Sequence, residues 1–371
     1  MKLSNCPGFS FIRLFLCLSV LLEAGFSFTG CSNRSSITRQ SVVKDGKYDS
    51  EFPSDDCSAQ LETILQSLRK VNCYVSYRTY VFGEKSHTSL ADLNSDHVLS
   101  SAEASLYTNE ATSGTALIIQ SNTDRIALLT CAHIVNLPDT IISWSEFQDL
   151  ESNRYIRSIS IKVKEQITIR DVPEGARFIV LAFDQQKDIA ILGREYTSRQ
   201  VCLDLPIFPY SAGNSSELNW GSFLYLAGYP TGQLMITKGI VSKTKDSENN
   251  FLTDAPFNEG FSGGIALALR DGVPNFELVG IGRSVTAGTE YFLKPEKDLY
   301  EYNYNPSIPY NGPLYVKQKK EINYGITWVI PIDRIRDFYL ENRLKIISLG
   351  YQLDPFFKIS KESGTGPDIR H

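Results

Sequence analysis

Three polar residues that could act together in nucleophilic catalysis occur in distinctive local sequences. His133 follows an apolar run in LTCAHIV, Asp188 opens the apolar run KDIAIL, and Ser262 lies among glycines in NEGFSGG. Taken singly, a histidine or an aspartate beside an apolar strand is commonly structural, and an aspartate there can simply cap a turn. Taken together, they supply a hydroxyl, a base that can accept its proton, and a carboxylate that can orient the base.

The order of the three residues along the chain distinguishes among the known classes of catalytic triad. His133 precedes Asp188 by 55 residues, and Asp188 precedes Ser262 by 74 residues. Chymotrypsin has this order, whereas subtilisin and the α/β-hydrolases have other orders. The spacing predicts that the histidine and the aspartate belong to one structural unit and the serine to the next, with the site in the cleft between them.

Further segments extend this similarity well beyond the three residues. Over about residues 110–335 the chain resembles the trypsin-like serine peptidases, most closely their bacterial HtrA/Deg branch. The matching segments are SGTALII, LTCAH, LAGYPTG, TKGIVS, LTDAPFNEGFSGG and YGITWVIPI. The resemblance implies peptidase activity on protein or peptide substrates and a fold of two six-stranded barrels. Many short apolar runs separated by polar turns independently favour antiparallel barrels or sandwiches, hence an all-β fold class.

The resemblance also assigns roles to residues of the site. It implies that Ser262 is the nucleophile, that His133 is the general base and later the acid, and that Asp188 orients the imidazole. The backbone N–H groups of Gly260 and Ser262 would form the oxyanion hole. Phe261 departs from the aspartate or asparagine that many family members carry before the serine. A salt bridge from that position to a new N-terminus is therefore impossible here.

Two residues bear on the substrate pocket and leave two preferences open. Pro256 stands six residues before the serine, where trypsin-like enzymes with a basic preference keep an acidic residue. This predicts small or medium apolar side chains at the cleavage site. Arg283, on the strand expected to form the opposite wall, would instead favour an acidic side chain.

The N-terminus has the pattern of an export signal. Lys2 and Arg13 precede the apolar run LFLCLSVLL, which is too short to span a bilayer as a helix. We interpret residues 1–30 as a signal peptide and Cys31 as a lipidated cysteine, because small residues precede it as in a bacterial lipobox. A conventional signal peptide with an incidental cysteine is the alternative.

This interpretation predicts a bacterial cell-envelope protein attached to the membrane through its N-terminal lipid. The residues Ser32 and Asn33 lack the aspartate that retains enteric lipoproteins at the inner membrane, which favours the outer membrane. Residues 31–56 are polar and predict a flexible tether.

Apolar spacing predicts a helix at each end of the barrels. The residues with helical spacing at the start are Leu61, Ile64, Leu65, Leu68 and Val71. A second helix is expected over about residues 332–345, with its apolar side formed by Ile335, Phe338, Tyr339 and Leu344. We assign residues 57–204 to the first helix and barrel, 205–345 to the second barrel and last helix, and 346–371 to a tail that frays from Lys358. So short a tail leaves no room for the PDZ domain common in the HtrA branch.

A tyrosine-rich stretch over residues 288–323 is longer than the family usually has between its last strands. It contains Tyr291, Tyr300, Tyr302, Tyr304, Tyr310 and Tyr315. Two interpretations remain open for it: a contact surface for another molecule, or a lid that packs on its own barrel.

Composition excludes several classes of protein. The net charge of −5, from 37 basic and 42 acidic residues, argues against nucleic acid as the main partner. With only four histidines, a multi-histidine metal centre is not expected, and we predict neither a metal nor another cofactor. The cysteines are too few for a disulfide scaffold, and Cys131 is expected to be a core thiol.

Two functions besides a lipid-anchored serine endopeptidase are compatible with these observations. One is a catalytically inactive trypsin-like fold that acts as a surface binding lipoprotein. The other is an esterase that uses the same three residues. The presence of His133, Asp188 and Ser262 together favours the peptidase.

Overall fold

The computed structural model describes residues 44–359 except 84–85, 95–96, 149–153, 175–176, 197–204, 245–249, 296–306, 308–309 and 311. The predicted signal peptide, the lipidated Cys31 and the start of the tether lie outside the described residues. No helix in the described part of the chain is long and apolar enough to cross a bilayer.

Seven strands form the first sheet, in the spatial order β4-β5-β1-β2-β3-β7-β6, and all its pairings are antiparallel. They are β1 (Leu68–Val81), β2 (Ala104–Ser121), β3 (Arg125–Thr130), β4 (Thr140–Gln148), β5 (Arg154–Ile169), β6 (Ile179–Asp184) and β7 (Ile189–Glu195). Helix α1 (Ser58–Leu65) precedes β1, and helix α2 (Ala132–Val135) follows β3. Short 3-10 turns cover Ala91–Asn94 and Val98–Ser101.

Seven further strands form the second sheet, in the order β12-β9-β10-β11-β14-β13-β8. They are β8 (Ser211–Ala212), β9 (Phe223–Gly228), β10 (Met235–Lys243), β11 (Phe251–Thr253), β12 (Ile265–Leu269), β13 (Phe276–Pro295) and β14 (Leu314–Pro331). The helices α3 (Ile332–Ser348) and α4 (Asp354–Phe357) follow, and 3-10 turns cover Ser215–Glu217 and Pro230–Gly232.

The predicted all-β fold class is confirmed, and the two sheets differ in closure. β12 also pairs with β13, so six strands of the second sheet close into a barrel, with β8 added in parallel on β13. In the described part of the first sheet β4 and β6 remain edges, so this sheet is a curled half-barrel, and the two sheets together are consistent with the expected double-barrel fold.

The predicted first helix is correct in its first half only. α1 ends at Leu65, and Leu68 and Val71 belong to β1. From Val71 onward, every second side chain to Tyr77 is buried, with Cys73 and Val75 between them. This period of two specifies a strand, and the pairing of β1 with two neighbouring strands outweighs the helical spacing that precedes it.

The described part of the predicted tether 31–56 packs on the second barrel. Tyr48 is buried, and its hydroxyl donates to Glu277 at 2.6 Å. The guanidinium of Arg270 lies over its ring, 4.1 Å from the centroid. The backbone N–H of Asp49 donates to the last carbonyl of β12. The chain is therefore held against the domain from Tyr48 onward, because one aromatic residue in a polar segment supplies an anchor.

The C-terminal helix occurs where it was expected, although its buried face differs by one residue. Ile335, Phe338, Tyr339 and Ile346 are buried, whereas Leu344 is 80% exposed. Leu344 follows Ile335 by nine positions, which places it on the opposite side of a helix with 3.6 residues per turn.

Much of the segment assigned to a tail is part of the core. Tyr351, Leu353 and Phe357 are fully buried. The ring of Phe357 stacks on Tyr339 of α3 with centroids 4.7 Å apart. The carboxylate of Asp354 accepts hydrogen bonds from Tyr339 at 2.7 Å and from Arg343 at 2.7 and 2.8 Å. These contacts anchor the chain after α3.

The contribution of this C-terminal segment can be measured. Leu353→Ala should lower the free energy of unfolding by about 3 kcal/mol, because it removes buried methyl groups and leaves a cavity. The matched control Leu344→Ala, at an exposed site, should change it by less than about 0.5 kcal/mol. Urea unfolding measures both, and equally small changes would show that the segment does not belong to the core.

The tyrosine-rich stretch 288–323 forms a hairpin in its described part. Gly288 pairs with Glu321 and Pro295 pairs with Leu314, as β13 and β14 continue beyond the barrel. Apolar side chains of this ribbon are exposed, including Phe292, Leu293, Tyr315 and Val316. These apolar side chains are therefore not packed on the barrel, while the side chain of Tyr291 and the residues Tyr300, Tyr302 and Tyr304 lie outside what the structure describes.

Candidate active site

His133 and Asp188 are in direct contact. The backbone N–H of His133 donates to Asp188 Oδ1 at 2.9 Å, and its ring Nδ1 lies 3.0 Å from Oδ1 and 2.8 Å from Oδ2. The side chain of Asp188 is 6% exposed, whereas that of His133 is 40% exposed. Because a carboxylate only accepts hydrogen bonds, Nδ1 carries the proton, which leaves Nε2 as an acceptor.

The turn between β6 and β7 presents Asp188 to the histidine. Asp188 has a φ of 58°, in the left-handed region that is costly for residues other than glycine. Asp184 holds the turn by accepting the N–H groups of Gln186 at 2.9 Å and Lys187 at 2.8 Å. The ammonium of Lys187 also pairs with Glu341 of α3. The C-terminal helix therefore supports the turn that carries the acid.

Thr115 of β2 fixes the loop that carries Ser262. Its N–H donates to the carbonyl of Ser262 at 2.8 Å, and its hydroxyl donates to the carbonyl of Gly260 at 2.8 Å. The hydroxyl also accepts the N–H of Tyr229 at 2.8 Å. Thr115 was not singled out from the sequence, although it lies in the SGTALII segment that the family resemblance used.

The glycines of this loop are required by close approach of the backbone. Gly263 has a φ of +78°, and a Cβ there would lie 2.1 Å from the carbonyl oxygen of Thr115. Gly260 has a φ of +99°, and a Cβ there would lie 2.3 Å from the carbonyl oxygen of Tyr229. Any side chain at these two positions would push the loop away from its supports.

A substitution in this loop tests that requirement. Gly263→Ala should displace Ser262 and reduce its labelling by a fluorophosphonate by about 100-fold or more, because small misplacements of reacting groups are costly. Gly221 has a similar φ of +81° but no heavy atom within 4 Å of an added Cβ. The control Gly221→Ala should therefore keep the labelling rate and lose only about 1 kcal/mol of stability. Equal labelling of the two variants would disprove the steric argument.

Two backbone donors beside the serine have no hydrogen-bond acceptor among the described residues. Within the described part of the chain, neither the N–H of Gly260 nor the N–H of Ser262 donates to another group. The neighbouring amides of Phe261 and Gly263 are bonded, to Asn258 at 3.0 Å and to Gly282 at 2.8 Å. An unpartnered pair of this kind can receive an oxygen that gains negative charge.

The hydroxyl of Ser262 is directed to a different partner. Its Oγ donates to the carbonyl of Arg283 at 3.0 Å, and among the described residues it makes no hydrogen bond to His133. The guanidinium Nε of Arg283 lies 3.5 Å from Asp188 Oδ2. Arg283 therefore contacts both the acid and the serine, a position that sequence reasoning assigned to the substrate pocket wall.

The residues around the expected pocket are largely apolar. Pro256 is exposed, whereas Phe257 and Phe261 are buried with ring centroids 5.6 Å apart. A Cβ at Gly282 would lie 2.8 Å from the ring of Phe257, so this glycine lets the strand pass over the ring. Phe261 is thus held by packing, because its side chain carries no charge that could form a salt bridge.

Cys131 is fully buried directly beneath the pair. Its thiol donates to the carbonyl of Gly282 at 3.3 Å, and burial raises its pKa well above the usual range. Cys131, His133 and Asp188 offer three potential metal-ligand atoms within 4.8 Å of one another, a grouping seen once in the described part of the chain. The protonated thiol and the cationic Arg283 both disfavour a cation there. Of the described cysteines, Cys57, Cys73 and Cys131 are free thiols.

Comparisons with known proteins identify one family model that matches part of the chain. No curated protein matches the chain. A crystal structure of a scabies mite inactivated protease paralogue, S-D1, is similar at 11% identity, with a TM-score of 0.33, over 84% of this chain and 99% of that chain. Residues 114–281 match the family model for the trypsin-like peptidase domain, and the candidate residues His133, Asp188 and Ser262 all fall within the matched range.

Proposed function

We propose that the chain is a serine endopeptidase that uses His133, Asp188 and Ser262 as its catalytic triad. The observation that carries the proposal is the buried carboxylate of Asp188, which accepts hydrogen bonds from both the backbone and the ring of His133. A carboxylate in this position fixes the tautomer whose Nε2 can accept a proton and stabilises the imidazolium that results.

The reaction then follows from the groups that surround Ser262. Nε2 of His133 accepts the proton of Ser262 Oγ as the oxygen attacks the peptide carbonyl. The hydroxyl must first turn away from the carbonyl of Arg283 toward the imidazole. The N–H groups of Gly260 and Ser262 receive the developing oxyanion. His133 then protonates the leaving amine, and water hydrolyses the acyl-enzyme by the same steps.

The surroundings of the pocket favour apolar side chains at the cleavage site. The charge of Arg283 faces Asp188, so it is engaged and does not supply a free cation for an acidic substrate side chain. Phe257 and Phe261 lie in the loop between Pro256 and Ser262, and their rings are buried against each other. We therefore propose small or medium apolar residues on the N-terminal side of the cleaved bond.

Mass-spectrometric mapping of cut sites in a proteome digest tests activity and preference together. The purified protein should cut after apolar residues, and prior treatment with a fluorophosphonate should abolish the cuts. Cuts after acidic residues would contradict the pocket assignment. An absence of fluorophosphonate-sensitive cuts would favour the inactive binding lipoprotein, and turnover of esters without peptides would favour an esterase.

We further propose export through the signal peptide 1–30 and attachment by lipid at Cys31, in a bacterial cell envelope at the outer membrane. The support is the sequence pattern of a basic start, a short apolar run and a cysteine after small residues. Radiolabelled palmitate should be incorporated into the chain in its host and not into the Cys31→Ser variant. Equal labelling of both would refute the anchor.

A further inference from the structure

We propose that Arg283 is a positioning residue of this site: its guanidinium is the counter-ion of Asp188, and its backbone carbonyl is the resting acceptor of the Ser262 hydroxyl. The inference rests on the proposed peptidase function and deepens it. Two contacts carry it, the 3.5 Å ion pair from Nε to Asp188 Oδ2 and the 3.0 Å hydrogen bond from Ser262 Oγ.

The burial of Asp188 explains why a counter-ion is needed. Its side chain is only 6% exposed, and removing a carboxylate from water is costly unless it is both hydrogen-bonded and paired. His133 supplies hydrogen bonds but no charge while its imidazole is neutral. The side chain of Arg283 is 27% exposed, so it supplies a positive charge without being fully desolvated itself.

The strand that carries Arg283 is fixed against the nucleophile loop. The N–H of Gly282 donates to the carbonyl of Gly264 at 2.7 Å, and the N–H of Gly263 donates to the carbonyl of Gly282 at 2.8 Å. These bonds lie immediately beside Ser262 and hold the backbone of Arg283 in place. The backbone of Arg283 is therefore fixed while its guanidinium pairs with Asp188. One residue thus contacts both Asp188 and Ser262.

The charge of Arg283 also bears on the hydrogen bond between Asp188 and His133. One carboxylate oxygen, Oδ2 of Asp188, lies 2.8 Å from Nδ1 of His133 and 3.5 Å from Nε of Arg283. The cation therefore shares the oxygen that accepts from the imidazole.

Replacing Arg283 should therefore change this hydrogen bond. In the Arg283→Met variant we expect the resonance of the His133 Nδ1 proton to move downfield, because the carboxylate no longer shares its charge with a cation. Arg283→Lys retains a charge and should keep the parent resonance. Arg78→Met removes an exposed arginine of β1 and should leave the resonance unchanged.

The resonance is measured at a fixed pH by NMR of the purified full chain with isotope-labelled histidines, and it is assigned with a His133→Gln variant. A thermal melt checks folding, and Arg283→Gln replaces the methionine variant if that variant does not fold. A downfield shift in the charge-removing variant with rescue by lysine supports the proposal, and an identical resonance in all variants overturns it. The measurement requires no substrate, so a failure of peptidase activity is detected separately from a failure of this inference.

Discussion

Ser262→Ala should lower the rate of peptide cleavage by about 10⁵-fold to 10⁶-fold, because no other hydroxyl can replace the attacking oxygen. The melting temperature should stay within a few degrees of the parent value. The hydroxyl makes one hydrogen bond, to the carbonyl of Arg283, and such a bond contributes about 1 kcal/mol. Steady-state cleavage of a fluorogenic peptide and a thermal melt measure the two quantities.

The control for this variant is Ser348→Ala, at an exposed position at the end of α3, which should leave both quantities unchanged. If Ser262→Ala retained more than about one hundredth of the parent rate with an intact fold, the serine would not be the nucleophile.

The second large effect is expected when Asp188 is replaced. Asp188→Asn should reduce the cleavage rate by about 10⁴-fold at neutral pH, because an amide can donate to Nδ1 and favours the wrong tautomer of His133. The same change leaves Arg283 without its counter-ion. Asp139→Asn, which alters an aspartate whose side chain is 92% exposed, should change the rate by less than about twofold.

Kinetics as a function of pH separate this mechanism from simple unfolding. A folded Asp188→Asn protein that regains part of its rate as the pH rises would support loss of the oriented base. A folded variant with the parent rate at every pH would show that the carboxylate has no part in the reaction.

The contact between His133 and Asp188 and the strands were the most predictable features of the chain. His133 follows a run of consecutive apolar residues, and Asp188 precedes another. These runs form the central strands β3 and β7, and every residue from Ile126 to Thr130 is buried. β3 and β7 pair antiparallel with Thr130 opposite Ala190, so the end of β3 lies beside the start of β7. The contact between the two residues follows from that placement.

Other features depend on tertiary contacts that local patterns do not contain. Leu68 and Val71 have helical spacing with α1, but strand pairing on both sides of β1 determines their conformation. Leu353 and Phe357 lie in a short segment after α3, and their burial depends on contacts with distant parts of the fold such as Tyr339. The spacing of apolar residues indicates the type of secondary structure. It does not identify which residues pack against the apolar face.

The placement of Arg283 shows the same limit within the site itself. From the sequence, a long cation on the strand after the nucleophile loop predicts a charged pocket wall. Its side chain has several rotatable bonds, and the buried carboxylate of Asp188 determines which way it points. Thr115 was overlooked for a similar reason, because its two bonds to the nucleophile loop and its bond to Tyr229 join segments more than a hundred residues apart.

Mass spectrometry of the chain after exposure to a fluorophosphonate tests the central claim most directly. If His133 activates Ser262, the parent protein should carry one phosphonyl adduct on Ser262, and the folded His133→Ala variant should carry none under the same conditions. No adduct on Ser262 in the parent protein at any pH, or equal labelling of the parent and the His133→Ala variant, would contradict the account.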